Sequence, residues 1–533
     1  MSTALEPEIV EVVDPRTRRA ERLRRLLTRD RITALAIGLC AYVLGLWNIA
    51  GSPTFQDDEG TYAAQAAAVL EGDLAPYTYW YDHPPLGWIQ LAIGGWLPYL
   101  LGIGGSDLAA FRTVMPIAFA ASAALVYLIL RRVRVRTAFA VLASVVFALS
   151  PLSLELGRQV FLDNVATPWV LLAVYAALSP RTALWHHVGS GLFFAVAVLT
   201  KLTSAIFGPA IMLAMLGRDG WRGRSFSIVG FLTVGGLVLA LFPVMAILRG
   251  ELLSDPNRVS LQDALAYQFL SRSGSGWLWE EGSHRGGLVA SWVAQDPLLL
   301  LAGVAAALAC AFAQRTRWIT VAIAGFALPI VASQGYLPAM YVIGVLPFLA
   351  LAMGAGLDLA WRAGEKALDA RAPAIREGFG TVIATAVAVA LIAVPAVRFV
   401  ERAPEVLAGD ANGDWKRTLA WVTEHVPRDE VVLVPYSMWL DLDTAGWNDP
   451  WTLIVLEKVD LDSQFDVEHP DGWTEIRWIV EGPTVRPNIE HLGLETAGRA
   501  LDAAEPVVTF GEWTVHAVVP PTPPQPGATS PAP

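Results

Sequence analysis

The stretch FQDDEGTYAAQAAAVLEGDLAPYTYWYDHPPLGW, residues 55–88, decides how this chain is read. It follows the apolar run 32–50 and carries six acidic side chains and one histidine among tyrosines and tryptophans. Three of the acids, Asp57, Asp58 and Glu59, are consecutive. Acids at a helix start can simply cap it, because the free N–H groups and the positive end of the dipole favour negative charge. That accounts for one acid. It does not account for three beside a membrane surface, each needing water or a partner.

The surroundings are those of a membrane. Of 533 residues, 54% are hydrophobic and 16% charged, where soluble domains carry about 25% charged residues. Apolar segments near 32–50, 108–130, 137–154, 162–178, 187–200, 203–216, 225–248, 287–313, 318–333, 337–356 and 378–397 suggest about eleven transmembrane helices. Arginine clusters at 16–25, 131–136, 218–224, 315–317 and 362–376 mark the cytoplasmic side. The N-terminal 1–31 is then a basic cytoplasmic segment, with no cleavable signal peptide expected. Residues 32–397 form the membrane domain of a cell (plasma) membrane protein. Its outer loop 51–107 includes Leu86–Gly105, read as a helix in the outer interface because a crossing there would invert every later arginine cluster. Lys201 interrupts the run 187–216 and is expected at an outer turn between two short helices, since a lipid-facing lysine costs several kcal/mol.

Residues 401–533 hold 23 acidic and 8 basic side chains, a net of −15, leaving +4 for the other 400 residues. An acidic extracytoplasmic α/β domain over 398–519 follows, with a helix from Asp414 to His425, strands at 431–435, 477–480 and 507–510, and helical residues from Arg486 to Ala503. A proline-rich tail, 520–533, reads as disordered. The acidity excludes nucleic acid as a partner of this domain. Cys40 and Cys310 lie in separate apolar runs and read as small hydrophobes. No His/Cys cluster has zinc-like spacing, so no metal site is assigned.

In this layout Asp57 to His83, the turn Arg158–Asp163, Lys201, the loop 250–285, Gln334 to Tyr336 and the acidic domain all face outward. Such convergence is the mark of a site at the outer membrane face. The segments DDEGTYAAQAAAVLEGD, DHPPLGW and RQVFLDN, in that order, resemble the protein O-mannosyltransferases and lipid A aminoarabinose transferases of glycosyltransferase family 39. Those proteins share the GT-C membrane fold. The resemblance covers roughly 30–360, with echoes at Leu-Thr-Lys201 and Tyr336-Leu-Pro338-Ala-Met-Tyr341.

The resemblance implies an inverting transferase that moves a sugar from a polyprenyl-phosphate donor to an acceptor hydroxyl on a glycan, lipid or protein. It implies no required cofactor, although the acids leave room for a divalent cation. Asp58 matches the first acid of the family's Asp-Glu pair and is the expected general base. Asp57 is the alternative base, and Glu59 an orienting or acceptor-binding neighbour. Asp163 either binds sugar or pairs with Arg158. His83, where some relatives have lysine, Lys201 and Arg158 are the phosphate candidates, with an ion pair or an Asp82–His83 turn as the structural alternatives. Asp82, Tyr62, His284, Arg285 and Tyr336 complete the acceptor or sugar candidates. A transporter or flippase of lipid-linked sugars is the alternative function. Against it, the charges gather at one face and no repeated half is evident.

Overall fold

A computed structural model of the chain describes residues 29–74, 80–179, 184–217, 220–255, 260–371, 409–447 and 449–519, with isolated helical positions between 393 and 408. The expected segments 1–28, 378–392 and 520–533 lie outside the described residues.

A helical domain comes first. Among the described residues three helices are long and apolar enough to cross a membrane: Asp107–Arg132, Ser225–Arg249 and Ala339–Lys366. A fourth candidate is a pair, His284–Gln295 and Leu298–Ala311, bent by 98° at its break. Thr137–Leu149, Leu162–Ala177, Leu184–Thr200, Leu202–Leu216 and Arg317–Ala332 are apolar but shorter. Length and apolarity therefore do not reach the eleven spans expected: five of the apolar helices run only 10–17 residues, 287–313 bends at a break, and 378–392 lies outside the described residues. Lys201 marks another break. It is extended (φ −149°, ψ 115°) between the helix Leu184–Thr200 and the 3-10 turn Leu202–Phe207.

The bundle interior is a continuous apolar core that includes Phe119, Leu130, Phe147, Leu171, Phe207 and Phe348. Leu35, Ile93, Leu237, Leu248 and Phe312 are instead exposed on its outside, as side chains facing lipid would be. The helix Leu86–Leu100 shows both environments. Trp88 and Leu91 are buried, while Ile93, Trp96, Leu97 and Leu100 are exposed. Its Gly94 and Gly95 admit Val114 and Phe111, which a Cβ would displace.

The C-terminal domain is α/β, with two more strands than expected. Strands β1 (Val431–Val434), β2 (Leu453–Val455), β3 (Ile476–Glu481), β4 (Ala504–Phe510) and β5 (Trp513–Val518) form one sheet in the order β2-β1-β3-β5-β4. β1 pairs parallel with β2 and β3, whereas β5 runs antiparallel to β3 and β4. The single helix expected over Arg486–Ala503 is two, Val485–Leu492 and Glu495–Asp502, because Gly493 turns left-handed at φ +67°.

This domain is fused to the membrane domain, not tethered beside it. One apolar cluster runs from Tyr62, Trp88, Phe111 and Leu162 to Trp415, Val432, Met438 and Trp447. Phe55 meets Trp415 edge-on at 4.7 Å. The Asn412 side chain accepts from Phe55 N at 2.9 Å and donates to the Ala50 and Pro53 carbonyls. The Asp441 carboxylate accepts from Asp107 N (2.6 Å) and Leu108 N (3.4 Å), capping the helix Asp107–Arg132 from the other domain. Gly60 lets the helix Asp57–Glu71 touch the domain's backbone: a Cβ there would lie 2.0 Å from the Tyr436 carbonyl oxygen.

Candidate active site

The three consecutive acids all lie in the first turn of the helix Asp57–Glu71. Successive helical residues point about 100° apart, so the three go to different places.

Glu59 goes into the core. It and Arg112 form a bidentate pair, Nη2 to Oε1 at 2.5 Å and Nε to Oε2 at 2.7 Å, both side chains fully buried. Glu59 also accepts from Val160 N and Gln56 N, fastening the 158–160 turn to the helix start. The remaining Arg112 donors reach the carbonyls of Ile49, Pro53 and Thr54. Asp57 goes to the C-terminal domain, accepting from Ser437 N (3.2 Å) and the Thr484 hydroxyl (2.6 Å).

Asp58 remains. Its side chain is exposed and takes no hydrogen bond among the described residues, yet protein surrounds it deeply enough that burial raises its pKa above the ordinary carboxylate range. Lys201 and Arg272 oppose the rise, while Asp57 and Asp163 add to it.

Beside Asp58 lies a compact polar group. Lys201 Nζ is 3.2 Å from the Tyr62 hydroxyl, 3.1 Å from His83 Nε2 and 3.6 Å from Asp163 Oδ2. Tyr62 and His83 close the triangle at 3.1 Å. Lysine only donates, so His83 Nε2 accepts and the ring proton lies on Nδ1. Burial and then the charges of Lys201 and Arg272 push the His83 pKa far down, which keeps the ring neutral. His83 thus supports Lys201 without adding charge.

The Asp82 backbone, not its carboxylate, bonds the imidazole in the turn. The carboxylate accepts from Gln268 Nε2 at 3.3 Å, and burial raises its pKa. Gln268 also accepts from Arg272, whose guanidinium lies 3.6 Å over the Tyr336 ring. Arg272 is the cation the sequence reading missed. It lies in a polar loop with no neighbouring motif, and only the fold brings it to residues 58, 82 and 83.

The other expected residues lie elsewhere. Arg158 is buried and donates to the Trp47 carbonyl; Asp163 pairs with Lys201 instead, so the Arg158–Asp163 alternative is not formed. Arg285 is buried and spends its donors on the carbonyls of Gly276, Pro329, Ile330 and Gly335, which shapes the loop carrying Tyr336. His284 is exposed at the start of its helix, outside the group around Lys201. Among the described residues no group of three or more His, Cys, Asp or Glu side chains is placed to hold a metal ion.

Residues 82–247 match the family model of the dolichyl-phosphate-mannose-protein mannosyltransferases. No curated protein matches the chain by sequence. Among solved structures, ArnT from Cupriavidus metallidurans bound to undecaprenyl phosphate aligns over 92% of this chain and 98% of its own, with a TM-score of 0.56 at 14% identity. The archaeal oligosaccharyltransferase AglB from Archaeoglobus fulgidus, in complex with an inhibitory peptide and a dolichol-phosphate, aligns over 87% of this chain and 71% of its own, with a TM-score of 0.55 at 13% identity. The family match begins at Asp82, inside the stretch whose His-Pro-Pro motif carried the resemblance. Residues 82–247 thus match a mannosyltransferase family model, and the chain as a whole has the GT-C membrane fold of these solved structures.

Proposed function

We propose that this protein moves a sugar from a polyprenyl-phosphate donor to an acceptor hydroxyl, with inversion, at the extracytoplasmic membrane face. The observation that carries the reading is one accessible carboxylate, Asp58, that takes no hydrogen bond among the described residues and lies within reach of the charges of two cations, Lys201 and Arg272. Asp58 removes the acceptor proton as its oxygen attacks the anomeric carbon from the face opposite the phosphate. The C1–O bond breaks, its electrons leave with the phosphate, and Lys201 and Arg272 take up the charge of the departing phosphomonoester. Positive charge growing on the sugar ring is stabilised by the acids, as it is in glycosidases.

The structures aligned above support this donor class, since one binds undecaprenyl phosphate and the other a dolichol-phosphate. In this reading His83 and Tyr62 hold the lysine, Asp163 balances it, and Glu59 with Arg112 fixes the helix that presents Asp58. Arg158 serves the frame of the site instead of the phosphate. The N-terminus is cytoplasmic and the acidic domain extracytoplasmic.

The test is binding of the leaving group. Polyprenyl phosphate added to the purified protein should raise its unfolding temperature, because a ligand of the folded state stabilises it by mass action. The rise should disappear in Lys201→Met and shrink in Arg272→Ala. Polyprenyl phosphate that leaves the wild type unchanged would contradict the proposed donor.

A further inference from the structure

The C-terminal domain brings a carboxylate of its own to this site. Thr484 and Asn488 are four residues apart at the start of the helix Val485–Leu492, hence on one face. The Thr484 hydroxyl donates to Asp57 Oδ2 at 2.6 Å, and Asn488 Nδ2 donates to Glu457 Oε1 at 3.2 Å. The two side chains therefore hold Asp57 and Glu457 side by side, one from each domain. The charges of both Asp57 and Asp58 reach Glu457.

The second Glu457 oxygen, Oε2, is buried and has no hydrogen-bond partner among the described residues. Buried polar atoms are almost always partnered, and leaving one unpartnered costs on the order of 1–3 kcal/mol. The charged groups that reach this carboxyl are the carboxylates of Asp57 and Asp58, and among the described residues only Asn488 and the Glu457 backbone N–H offer it a donor, so no side chain is given to Oε2. An acidic wall also repels phosphate, which has Lys201 and Arg272 for partners. What remains for this wall is an uncharged group that donates hydrogen bonds.

Resting on the transferase reading, we propose that Glu457 is an acceptor-binding residue, and that its free oxygen takes a hydroxyl of an uncharged, hydroxyl-rich acceptor, a glycan, held between the two domains beside Asp58. The soluble domain then builds the acceptor side of the site while the membrane domain builds the donor side. Burial first, and then the charge of Asp57, raise the Glu457 pKa to about 7. Near neutral pH the group can therefore accept or donate to a sugar hydroxyl.

The experiment uses the full-length protein in lipid nanodiscs with radiolabelled polyprenyl-phosphate mannose, or another sugar from a polyprenyl-phosphate panel. The glycan fraction of the native membrane is titrated as acceptor. Two rates are read: transfer to glycan, and the slow release of polyprenyl phosphate with water as the only acceptor. Glu457→Ala should raise the half-saturating glycan concentration on the order of tenfold and leave the water reaction unchanged. Glu457→Gln keeps an amide that can bond a hydroxyl and should recover most of the loss. Wild-type glycan dependence in Glu457→Ala would overturn the proposal, as would an equal fall in both reactions. A wild type that transfers from no polyprenyl-phosphate sugar would overturn the transferase reading and this proposal together; an active wild type with an indifferent Glu457→Ala overturns this proposal alone.

Discussion

Replacing an acid by its amide at two adjacent positions should give opposite phenotypes. Asp58→Asn changes a side chain that is exposed and takes no hydrogen bond among the described residues. Burial disfavours its charge, so neutralising it carries no loss of stability, and a change to an exposed, unbonded side chain moves stability by about 0.5 kcal/mol or less. The same change removes the proposed base, and a positioned acid–base group contributes roughly 10²- to 10⁴-fold to rate. At about 1.4 kcal/mol per factor of ten, that is about 3–5 kcal/mol of barrier. Glu59→Gln is the reverse case. Both partners of the Glu59–Arg112 pair are fully buried, and the arginine stays behind when the acid is neutralised. Breaking a buried pair costs about 3–5 kcal/mol. Arg112 keeps its carbonyl partners at Ile49, Pro53 and Thr54, which places the loss near the lower end. Thermal unfolding in detergent should show Asp58→Asn melting with the wild type and Glu59→Gln melting well below it. Sugar transfer per folded molecule should collapse only in Asp58→Asn. Wild-type transfer by Asp58→Asn, or a wild-type melting temperature for Glu59→Gln, would refute the assignment of one acid to chemistry and the other to the frame.

Three further outcomes follow from the geometry. Lys201→Met should cut transfer on the order of 10²- to 10³-fold by removing a phosphate cation, and Arg272→Lys should lose less than Arg272→Ala because a charge remains without the planar fork; both are read from steady-state transfer. Gly60→Ala would favour an isolated helix by about 1 kcal/mol, yet here it forces a Cβ onto the Tyr436 carbonyl, so it should destabilise the domain junction by about 1–3 kcal/mol and speed proteolysis between the two domains. Burial, followed by the charge of Asp107, raises the Asp441 pKa to about 7. The folded protein then holds a proton that the unfolded chain has released, so this contribution to stability is complete below about pH 4 and is lost as pH rises through about 7. In Asp441→Asn that part of the pH dependence of thermal unfolding should vanish.

Much of the candidate site was legible because it is local in sequence. The acid triplet, Asp82-His83 and Lys201 stand out as polar groups in apolar or aromatic surroundings, and the α/β character of the tail shows in the strand at 431–434 and the helix at 413–425. Partnership was not legible. Sequence puts Arg158 five residues from Asp163, but the helix starting at Leu162 presents that acid to Lys201 while Arg158 turns toward Trp47. Arg112 looked like part of an apolar span and is the partner that takes Glu59 out of solvent. Arg272 and Glu457 come from a loop and from a second domain, at separations from Asp58 that no local pattern encodes. The strand at 513–518 passed unnoticed because its pairing with β3 and β4 is long-range or bulged.

The most direct test of the account is the fate of both halves of the donor. Purified wild-type protein, given radiolabelled polyprenyl-phosphate sugars with membrane extract as acceptor, should release one polyprenyl phosphate for each sugar transferred, and the product should carry the opposite anomeric configuration. The same donor moved intact across a liposome membrane, with its sugar–phosphate bond unbroken, would contradict the account and make the protein a transporter of lipid-linked sugars.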